Sequence, residues 1–321
     1  MIMKIAVLDD YLQAAQSGVD WAALGSDATL TVFTELLPAG LKERAAALAG
    51  FDVIVAMRER TPFPAELIRL LPDLRLLVTT GMRNLSIDMA ACKAQGVVVC
   101  GAPGSPQAAN ATAELAWAHI LGLFKNMVAE DQAMRAGLWQ TRIPAILAGK
   151  TLGVVGLGKL GQAVATVGKA FGMTVLAYSP NLTDERAARA GVSRVDKHDL
   201  FRQADVVSLH LILSDSTRGL VDAELLQAMK PGAFLVNTSR AGLVDADALY
   251  RMLKDRRIAG AGLDVYPEEP LAAEDPIRKL DNVLLTPHLG YVNRENFEAF
   301  YQSAVKAIAA WAGGQAVHVL S

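Results

Sequence analysis

The chain carries three glycines whose spacing is typical of a turn that binds phosphate groups. Gly156, Gly158 and Gly161 follow the apolar run Leu152–Val155 and precede a segment with small and apolar residues at helical spacing. In such a strand–turn–helix unit, the first glycine allows a tight turn, the second leaves room for a pyrophosphate, and the third lets the helix pack closely. The first N–H groups of the helix then face the phosphates. We therefore predict a dinucleotide site; a glycine-rich turn that only packs well is the alternative.

Polar and charged side chains follow three later apolar runs, at points where strands are expected to end. They are Thr238, Ser239 and Arg240 after the first run, Asp264, Glu268 and Glu269 after the second, and His288 after the third. In an open parallel sheet, ligands bind outside the carboxyl ends of the strands. We therefore expect an arginine, acidic residues and a histidine to meet at the same sheet edge as the glycine turn.

Four segments of the chain resemble those of the D-isomer-specific 2-hydroxyacid dehydrogenase family. They read VVGLGKLG, NTSRAGLVD, LDVYPEEPL and TPHLG, and their order and spacing agree as well. The resemblance covers nearly the whole chain. It implies an oxidoreductase that uses NAD(P)(H) to interconvert a small 2-keto acid and its D-2-hydroxy acid. Glyoxylate, hydroxypyruvate, pyruvate-like acids and 3-phosphoglycerate remain open as substrates, and a nucleotide-sensing corepressor on the same fold is the alternative function.

The residue types at the strand ends suit this chemistry. Arg240 has a planar fork of donors that can hold a carboxylate by two hydrogen bonds. His288 can give and take a proton near neutral pH at the oxygen where charge develops. A carboxylate beside it would orient the ring and favour its charged form, and the resemblance assigns this role to Glu269 rather than Glu268. The simpler interpretations are a surface ion pair for Arg240, a structural role for His288 and a solvated charge for Glu269.

The choice of cofactor depends on the end of the second strand of the cofactor domain. An acidic residue about 20 positions after the glycine turn would bind the ribose hydroxyls of NAD. Ser179 stands at this place, 23 positions after Gly156 (179 − 156 = 23). Ser179 and Asn181 can donate to a 2′-phosphate, and Arg186 is the nearest arginine. The sequence therefore favours NADP(H), with NAD(H) still open.

Two further sets of ligand contacts are predicted. The cofactor contacts are Gly156, Gly158, Lys159, Leu160, Gly161, Ser179, Asn181, His210, Thr217, Thr238, Ser239, Asp264, His288 and Gly290. The substrate contacts are Arg60, Gly81, Met82, Arg83 and Arg240. The segments 57–63 and 79–88 resemble the two substrate loops of the family. The resemblance implies that Arg60 can contact a charged or polar substrate tail and that the backbone N–H groups around Gly81, Met82 and Arg83 meet the substrate carboxylate. Solvated surface charges are the alternative for Arg58, Arg60 and Arg83.

The composition agrees with a soluble enzyme of two domains. The chain has 321 residues, of which 52 % are hydrophobic and 20 % charged, and its formal net charge is −2. Without a basic surface field, we expect no binding to nucleic acid or anionic lipid. The longest apolar run, Leu115–Phe124, is too short to span a membrane. Cys92 and Cys100 are expected to be reduced, buried thiols of a cytoplasmic protein, and no metal site is predicted.

Apolar runs alternate with helical segments along the chain, which indicates an α/β fold with parallel sheets covered on both sides. Strands are predicted at 4–8, 29–33, 52–56, 74–79 and 97–100, and again at 152–155, 174–178, 206–209, 234–237, 260–263 and 283–285. Helices are predicted at 41–49, 64–71, 87–94, 108–127 and 294–312, and the closing run AVHVL has the pattern of a strand.

The domain organisation follows from this rhythm together with the family resemblance. We predict two doubly wound parallel-sheet domains: a Rossmann-type dinucleotide-binding domain at 104–290, inserted into a flavodoxin-like substrate domain made of 1–103 and 291–321. The last helix and the closing strand return the chain to the first domain. The resemblance also implies a homodimer, formed through the cofactor domains and the long helix Ala108–Met127.

Overall fold

The computed structural model of the protein describes residues 2–320, which divide into two compact units. Unit 1 extends to Ala109 and resumes at Val292, whereas unit 2 is the continuous segment Asn110–Tyr291. No helix within residues 2–320 is both long enough and apolar enough to cross a membrane.

The strands of the described chain are short and mostly buried. In chain order they are β1 Met3–Val7, β2 Ala28–Val32, β3 Val53–Ala56, β4 Leu76–Thr80, β5 Val98–Ala102, β6 Thr151–Val155, β7 Thr174–Tyr178, β8 Ser193–Arg194, β9 Val206–Leu209, β10 Phe234–Asn237, β11 Gly260–Leu263 and β12 Val283–Leu285.

Helices connect most of these strands. They are α1 Leu41–Ala47, α2 Ala65–Arg69, α3 Met89–Gln95, α4 Ala111–Phe124, α5 Met127–Arg135, α6 Lys159–Ala170, α7 Asp184–Ala190, α8 Lys197–Gln203, α9 Ala223–Ala228, α10 Ala246–Lys254 and α11 Arg294–Ala312, with short 3₁₀ turns at Trp21–Leu24, Gln107–Asn110, Ala241–Leu243 and Pro276–Lys279.

The two sheets have the two doubly wound strand orders. Unit 1 has the order β2-β1-β3-β4-β5, which is the flavodoxin-like order 2-1-3-4-5. Unit 2 has the order β12-β11-β10-β9-β6-β7-β8, which is the Rossmann order 3-2-1-4-5-6 with one additional edge strand. All strand pairs within both sheets are parallel. The predicted fold class is therefore confirmed.

The order of unit 2 determines where a ligand can bind. Strand order reverses between β6 and β9, and a crevice forms at the carboxyl ends of the strands on either side of such a reversal. The glycine turn follows β6, and His210 follows β9 directly. Arg240, Asp264 and His288 lie beyond the ends of β10, β11 and β12, so they share this sheet edge.

The first junction between the units lies at Ala109, six residues after the predicted boundary (109 − 103 = 6). Helix α11 holds the intervening residues in unit 1. Ser303 donates to the carbonyl of Pro103 at 3.0 Å, and the N–H of Ser105 donates to Asn296 Oδ1 at 3.1 Å. Gly104 fits there because a Cβ atom would lie 2.6 Å from Asn296 Oδ1.

Two predicted elements differ from the structure. The predicted helix 108–127 is wrong at both ends. Its first residues form a 3₁₀ turn, and α4 ends at Phe124. Asn126 adopts a left-handed backbone with φ +53°, which interrupts the helix, and α5 begins after it. The closing run AVHVL forms one antiparallel bridge, Val319 to Cys100 on β5, rather than a strand. Its position at the edge of the sheet of unit 1 agrees with the predicted return of the chain.

Candidate active site

The glycine turn after β6 has the geometry that a dinucleotide requires. Gly156 has φ +103°, and a Cβ atom on it would lie 2.7 Å from the backbone of His210. A Cβ atom on Gly161 would lie 2.0 Å from the Gly156 carbonyl oxygen, so helix α6 packs directly onto the turn. A Cβ atom on Gly158 would meet nothing within 4 Å, and no side chain caps the start of α6. The turn is therefore open where a pyrophosphate would lie, with the N–H groups of Lys159 and Leu160 at the helix start.

Ser179 closes the other side of this turn. The N–H of Leu157 donates to Ser179 Oγ at 2.8 Å, so the serine oxygen accepts and its proton has no acceptor among residues 2–320. The Arg186 guanidinium donates to the carbonyl of Asn181 at 3.0 Å, which places a cation beside the loop that follows β7. A hydroxyl therefore follows the end of β7, and an arginine binds the backbone of the loop after it.

A buried asparagine shapes the loop that carries Arg240. Asn237, the last residue of β10, is 2 % exposed, and its side chain donates to the Arg240 carbonyl and accepts the N–H of Ser239, both at 3.0 Å. Ser239 Oγ donates to the carbonyl of Leu211 on the next loop. Asn237 was not among the predicted site residues; a polar residue that ends an otherwise apolar strand was the available signal.

His288 and Glu269 form a hydrogen-bonded pair. His288 Nδ1 lies 2.6 Å from Glu269 Oε2, while Glu269 Oε1 accepts the N–H of Tyr266 at 2.9 Å. The two side chains are 27 % and 34 % exposed, so a small molecule can reach them. His288 Nε2 makes no hydrogen bond within the described chain. Glu268 is exposed and has no place in this pair.

The charge of Glu269 is maintained by its neighbours. Burial raises the pKa of the Glu269 carboxyl, but the hydrogen bond and charge of His288, the N–H of Tyr266 and the charge of Arg240 outweigh burial and hold this pKa below its usual value. The Arg240 guanidinium is thus one of the positive charges that favour the ionised form of Glu269. The loops after β10, β11 and β12 therefore carry an arginine, a glutamate and a histidine, of which the last two are in contact.

Asp264 holds the loop that carries His288. The carboxylate is fully buried and accepts three hydrogen bonds, from Thr286 Oγ1 at 2.6 Å, from the N–H of Leu289 at 2.7 Å and from the N–H of Gly290 at 3.0 Å. Burial raises the pKa of Asp264, although these bonds lower it. The predicted cofactor residues Asp264 and Gly290 thus contact each other in unit 2.

The predicted cofactor residues His210, Thr217 and Thr238 differ in their hydrogen bonds. His210 Nε2 lies 2.9 Å from Ser208 Oγ, and burial lowers its pKa to about 4, so the ring is neutral. The Thr217 hydroxyl donates to the Ile212 carbonyl at 2.7 Å and accepts the N–H of Ser214, which shapes the loop after β9. Thr238 Oγ1 is buried and has no hydrogen-bond partner within residues 2–320.

The predicted substrate loops lie in unit 1. Gly81, with φ +91°, donates its N–H to the Ala102 carbonyl at 2.6 Å, so this donor already has a partner within unit 1. The N–H of Gly81 forms the bridge to Ala102 on β5. The N–H groups of Met82 and Arg83 make no hydrogen bond within the described chain, and Met82 and Arg83 are exposed.

The two arginines of the loop after β3 are half-buried rather than solvated. Arg60 donates to the Asp9 carbonyl at 2.7 Å, and its guanidinium lies 4.7 Å from the centre of the Tyr11 ring. Arg58 donates to the carbonyl of Thr80. The alternative of a freely solvated charge is therefore wrong for Arg58 and Arg60, whereas Arg83 is exposed as that alternative expects.

Unit 2 is a Rossmann-type unit with an open glycine turn, and an arginine, a glutamate and a histidine lie at one edge of its sheet. These features together define a class of dinucleotide-dependent enzymes. Residues 117–290 match the model of the D-isomer specific 2-hydroxyacid dehydrogenase, NAD binding domain. The chain belongs to the D-isomer-specific 2-hydroxyacid dehydrogenase family.

Relatives of known sequence and structure are similar over most of this chain. A D-3-phosphoglycerate dehydrogenase of Archaeoglobus fulgidus is 37 % identical over 75 % of this chain and 46 % of its own length. A glyoxylate reductase of Thermococcus litoralis is 36 % identical over 78 % of this chain and 77 % of its own. A crystal structure of a phosphoglycerate oxidoreductase from Vibrio cholerae is 37 % identical, covers 97 % of this chain and 99 % of its own, and has a TM-score of 0.90. The chain thus spans less than half the length of the first of these relatives.

Proposed function

We propose that the protein uses a reduced nicotinamide cofactor to convert a small 2-keto acid into its D-2-hydroxy acid. The observation that carries this proposal is the 2.6 Å contact between His288 Nδ1 and Glu269, on the sheet edge where Arg240 follows β10. A proton donor and a carboxylate-binding cation on one ligand-binding sheet edge are the two groups that keto acid reduction needs. Both lie at the same edge as the open glycine turn.

The roles of the three residues follow from their chemistry. The bound cofactor supplies the hydride. Arg240 holds the substrate carboxylate through its planar fork of N–H groups. His288 gives the proton on Nε2 to the keto oxygen as negative charge develops there, and takes it back in the oxidation direction. Glu269 orients the ring through Nδ1 and stabilises its charged form.

The relatives support the substrate class rather than one substrate. Those named above are described as acting on glyoxylate or phosphoglycerate, and both compounds belong to the small acids with oxygen at the second carbon. We propose Arg60 and the N–H groups of Met82 and Arg83 as further substrate contacts, supported by their place in the loops after β3 and β4. The corepressor alternative finds no support among these relatives.

A substrate scan tests the proposed function. Each candidate acid, namely glyoxylate, hydroxypyruvate, pyruvate and phosphohydroxypyruvate, is mixed with NADH and with NADPH, and the loss of absorbance of the reduced cofactor is followed. We expect turnover with at least one acid. Tight cofactor binding without turnover of any acid would instead support the corepressor alternative.

We propose NADP(H) as the preferred cofactor, supported by the Ser179 hydroxyl and the nearby Arg186. Ser179→Asp is expected to raise the ratio of kcat/KM for NADH over NADPH by about tenfold or more, because a carboxylate there repels a 2′-phosphate. An aspartate can still accept the N–H of Leu157, so the turn is kept. Ser179→Ala, which removes the hydroxyl without adding charge, is the control; an unchanged ratio in the aspartate variant would show that the ribose lies elsewhere.

We propose a homodimer formed through unit 2. Apolar side chains stand exposed on α5 and the segment that follows it, and exposed apolar patches mark association surfaces. They are Met127 (59 % exposed), Val128 (50 %), Met134 (51 %), Leu138 (56 %), Trp139 (74 %), Ile143 (97 %) and Ile146 (66 %).

The dimer is tested by placing a charge in this patch. Ile143→Glu is expected to shift the protein from dimer to monomer in light scattering after size-exclusion chromatography, because an unpaired carboxylate would be buried at the interface. Leu36→Glu, at an apolar residue of unit 1 that is 55 % exposed, is the control and should leave the mass unchanged. A wild-type protein that elutes as a monomer at micromolar concentration would refute the dimer.

A further inference from the structure

Helix α4 presents two polar side chains to the loop that carries His288. Thr112 and His119 are seven positions apart (119 − 112 = 7), which places them on one face of the helix, two turns from each other. Thr112 Oγ1 donates to the carbonyl of Gly290 at 2.7 Å. His119 Nε2 lies 2.9 Å from Thr286 Oγ1. The helix therefore contacts this loop on both sides of His288.

The direction of the second contact follows from the proton on Thr286. This hydroxyl donates to Asp264 Oδ1 at 2.6 Å, and the Asp264 oxygens otherwise receive N–H groups from Leu289 and Gly290. A hydroxyl has one proton, so Thr286 must accept from His119. His119 is therefore a donor through Nε2, and its Nδ1 is the unprotonated nitrogen.

Burying an imidazole ring at the position of His119 has an unfavourable free energy. The side chain is fully buried, and its Nδ1 has no hydrogen-bond partner within residues 2–320. Burial also lowers its pKa to about 4, so the ring is neutral. The ring lies against the bare backbone of Gly262 on β11, where a Cβ atom would be 2.7 Å from Nδ1. An apolar side chain would fill this space without desolvating a polar ring, so packing alone does not account for a histidine here.

We infer that His119 is a positioning residue for His288, acting through Thr286 and Asp264. The inference rests on the proposed role of His288 in proton transfer. His288 has a backbone φ of +55°, a left-handed conformation that a residue with a side chain adopts only when its surroundings hold it. Asp264 accepts hydrogen bonds from Leu289 and Gly290, which directly follow His288. It also accepts one from Thr286, two residues before His288. His119 keeps the Thr286 hydroxyl aimed at Asp264 and so completes this support.

Two substitutions of His119 separate positioning from packing. His119→Gln keeps a side-chain N–H donor, whereas His119→Met fills the space with an apolar chain and cannot donate. We expect His119→Met to lower kcat by about 10- to 100-fold through misplacement of His288, with cofactor Kd and substrate KM changed little. His119→Gln should keep most of kcat. If His119 served only in packing, His119→Met should keep more of kcat than His119→Gln, because methionine suits a buried apolar site better than glutamine.

Thr286 supplies a second pair of variants in case His119→Met does not fold. Thr286→Ser retains the hydroxyl and should keep most of kcat, whereas Thr286→Val has the same shape without it and should lose kcat as His119→Met does. His288→Asn serves as the reference for the proposed function. If His288→Asn turns over like wild type, the proposed function fails; if His288→Asn is inactive but His119→Met and Thr286→Val are as active as wild type, the inference about His119 fails.

A spectroscopic measurement tests the donor direction without any activity. In protein with nitrogen-15-labelled histidine, the His119 signals, assigned by their absence in His119→Gln, should show a neutral ring with the proton on Nε2 at neutral pH. A ring with its proton on Nδ1 would overturn the inference, because Thr286 would then have to donate to His119 and not to Asp264.

Discussion

Arg240→Lys is expected to lower kcat/KM for the keto acid by about 100-fold while cofactor affinity stays near that of the wild type. Lysine keeps the charge but loses the planar fork that binds both oxygens of a carboxylate, and charge-assisted hydrogen bonds of this kind are worth about 1.5–3 kcal/mol each. Asn237 binds the backbone of residue 240 and not its side chain, so the loop should remain in place. Steady-state kinetics and cofactor titration measure the two quantities separately.

A matched control for this substitution is Arg202→Lys. Arg202 is exposed on α8 and pairs with Asp199, so its change should leave kcat/KM unaltered. Near-normal kcat/KM in Arg240→Lys would remove Arg240 from the proposed substrate site. An equal loss of cofactor affinity would assign it to the cofactor instead.

Glu269→Gln is expected to move the pH profiles of both reaction directions to lower pH. Reduction needs a protonated His288 and oxidation needs a neutral one, so the reduction rate falls and the oxidation rate rises as pH increases. Glu269 Oε2 lies 2.6 Å from His288 Nδ1, and a carboxylate at such a distance from an imidazole favours its charged form. Glutamine removes the carboxylate charge from this contact, so both limbs of the rate profile should move to lower pH. The profile belongs to the pair, and the direction of its shift is the measured outcome.

Glu268→Gln is the matched control for this experiment. It removes the same charge one residue away, on a side chain that is exposed and outside the hydrogen-bonded pair. The profile of Glu268→Gln should coincide with that of the wild type. If Glu268→Gln shifts the profile and Glu269→Gln does not, the proposed acid–base pair is wrong.

The fold could be predicted because its signals are local. Strands buried on both faces appear as continuous apolar runs, and β7, β9, β10, β11 and β12 have the predicted bounds. Strand β8 was missed because its two residues, Ser193 and Arg194, are polar and exposed. The division between α4 and α5 was missed because the apolar pattern continues across Asn126, whose left-handed backbone turns the chain.

The residues proposed for the candidate site could be named from the sequence. The residues that hold their loops in place could not. Glycine spacing and residues at strand ends point to the groups that we propose face a ligand, because both features can be read from neighbouring positions. His119 and Thr286 are 167 positions apart, so no local pattern in the sequence links them. Asn237 and Asp264 likewise act on backbone groups of loops, so their partners become visible only in the folded chain.

The central claim, hydride transfer to the keto carbon of a 2-keto acid, has one direct test. The protein is incubated with NADPH, and separately with NADH, deuterated at the transferred position, together with the acid that the substrate scan selects. Mass spectrometry and chiral chromatography then analyse the product. We predict one deuterium on the former keto carbon and the D configuration wherever that carbon is a stereocentre. A product without deuterium at that carbon, or with the L configuration, would contradict the proposed function.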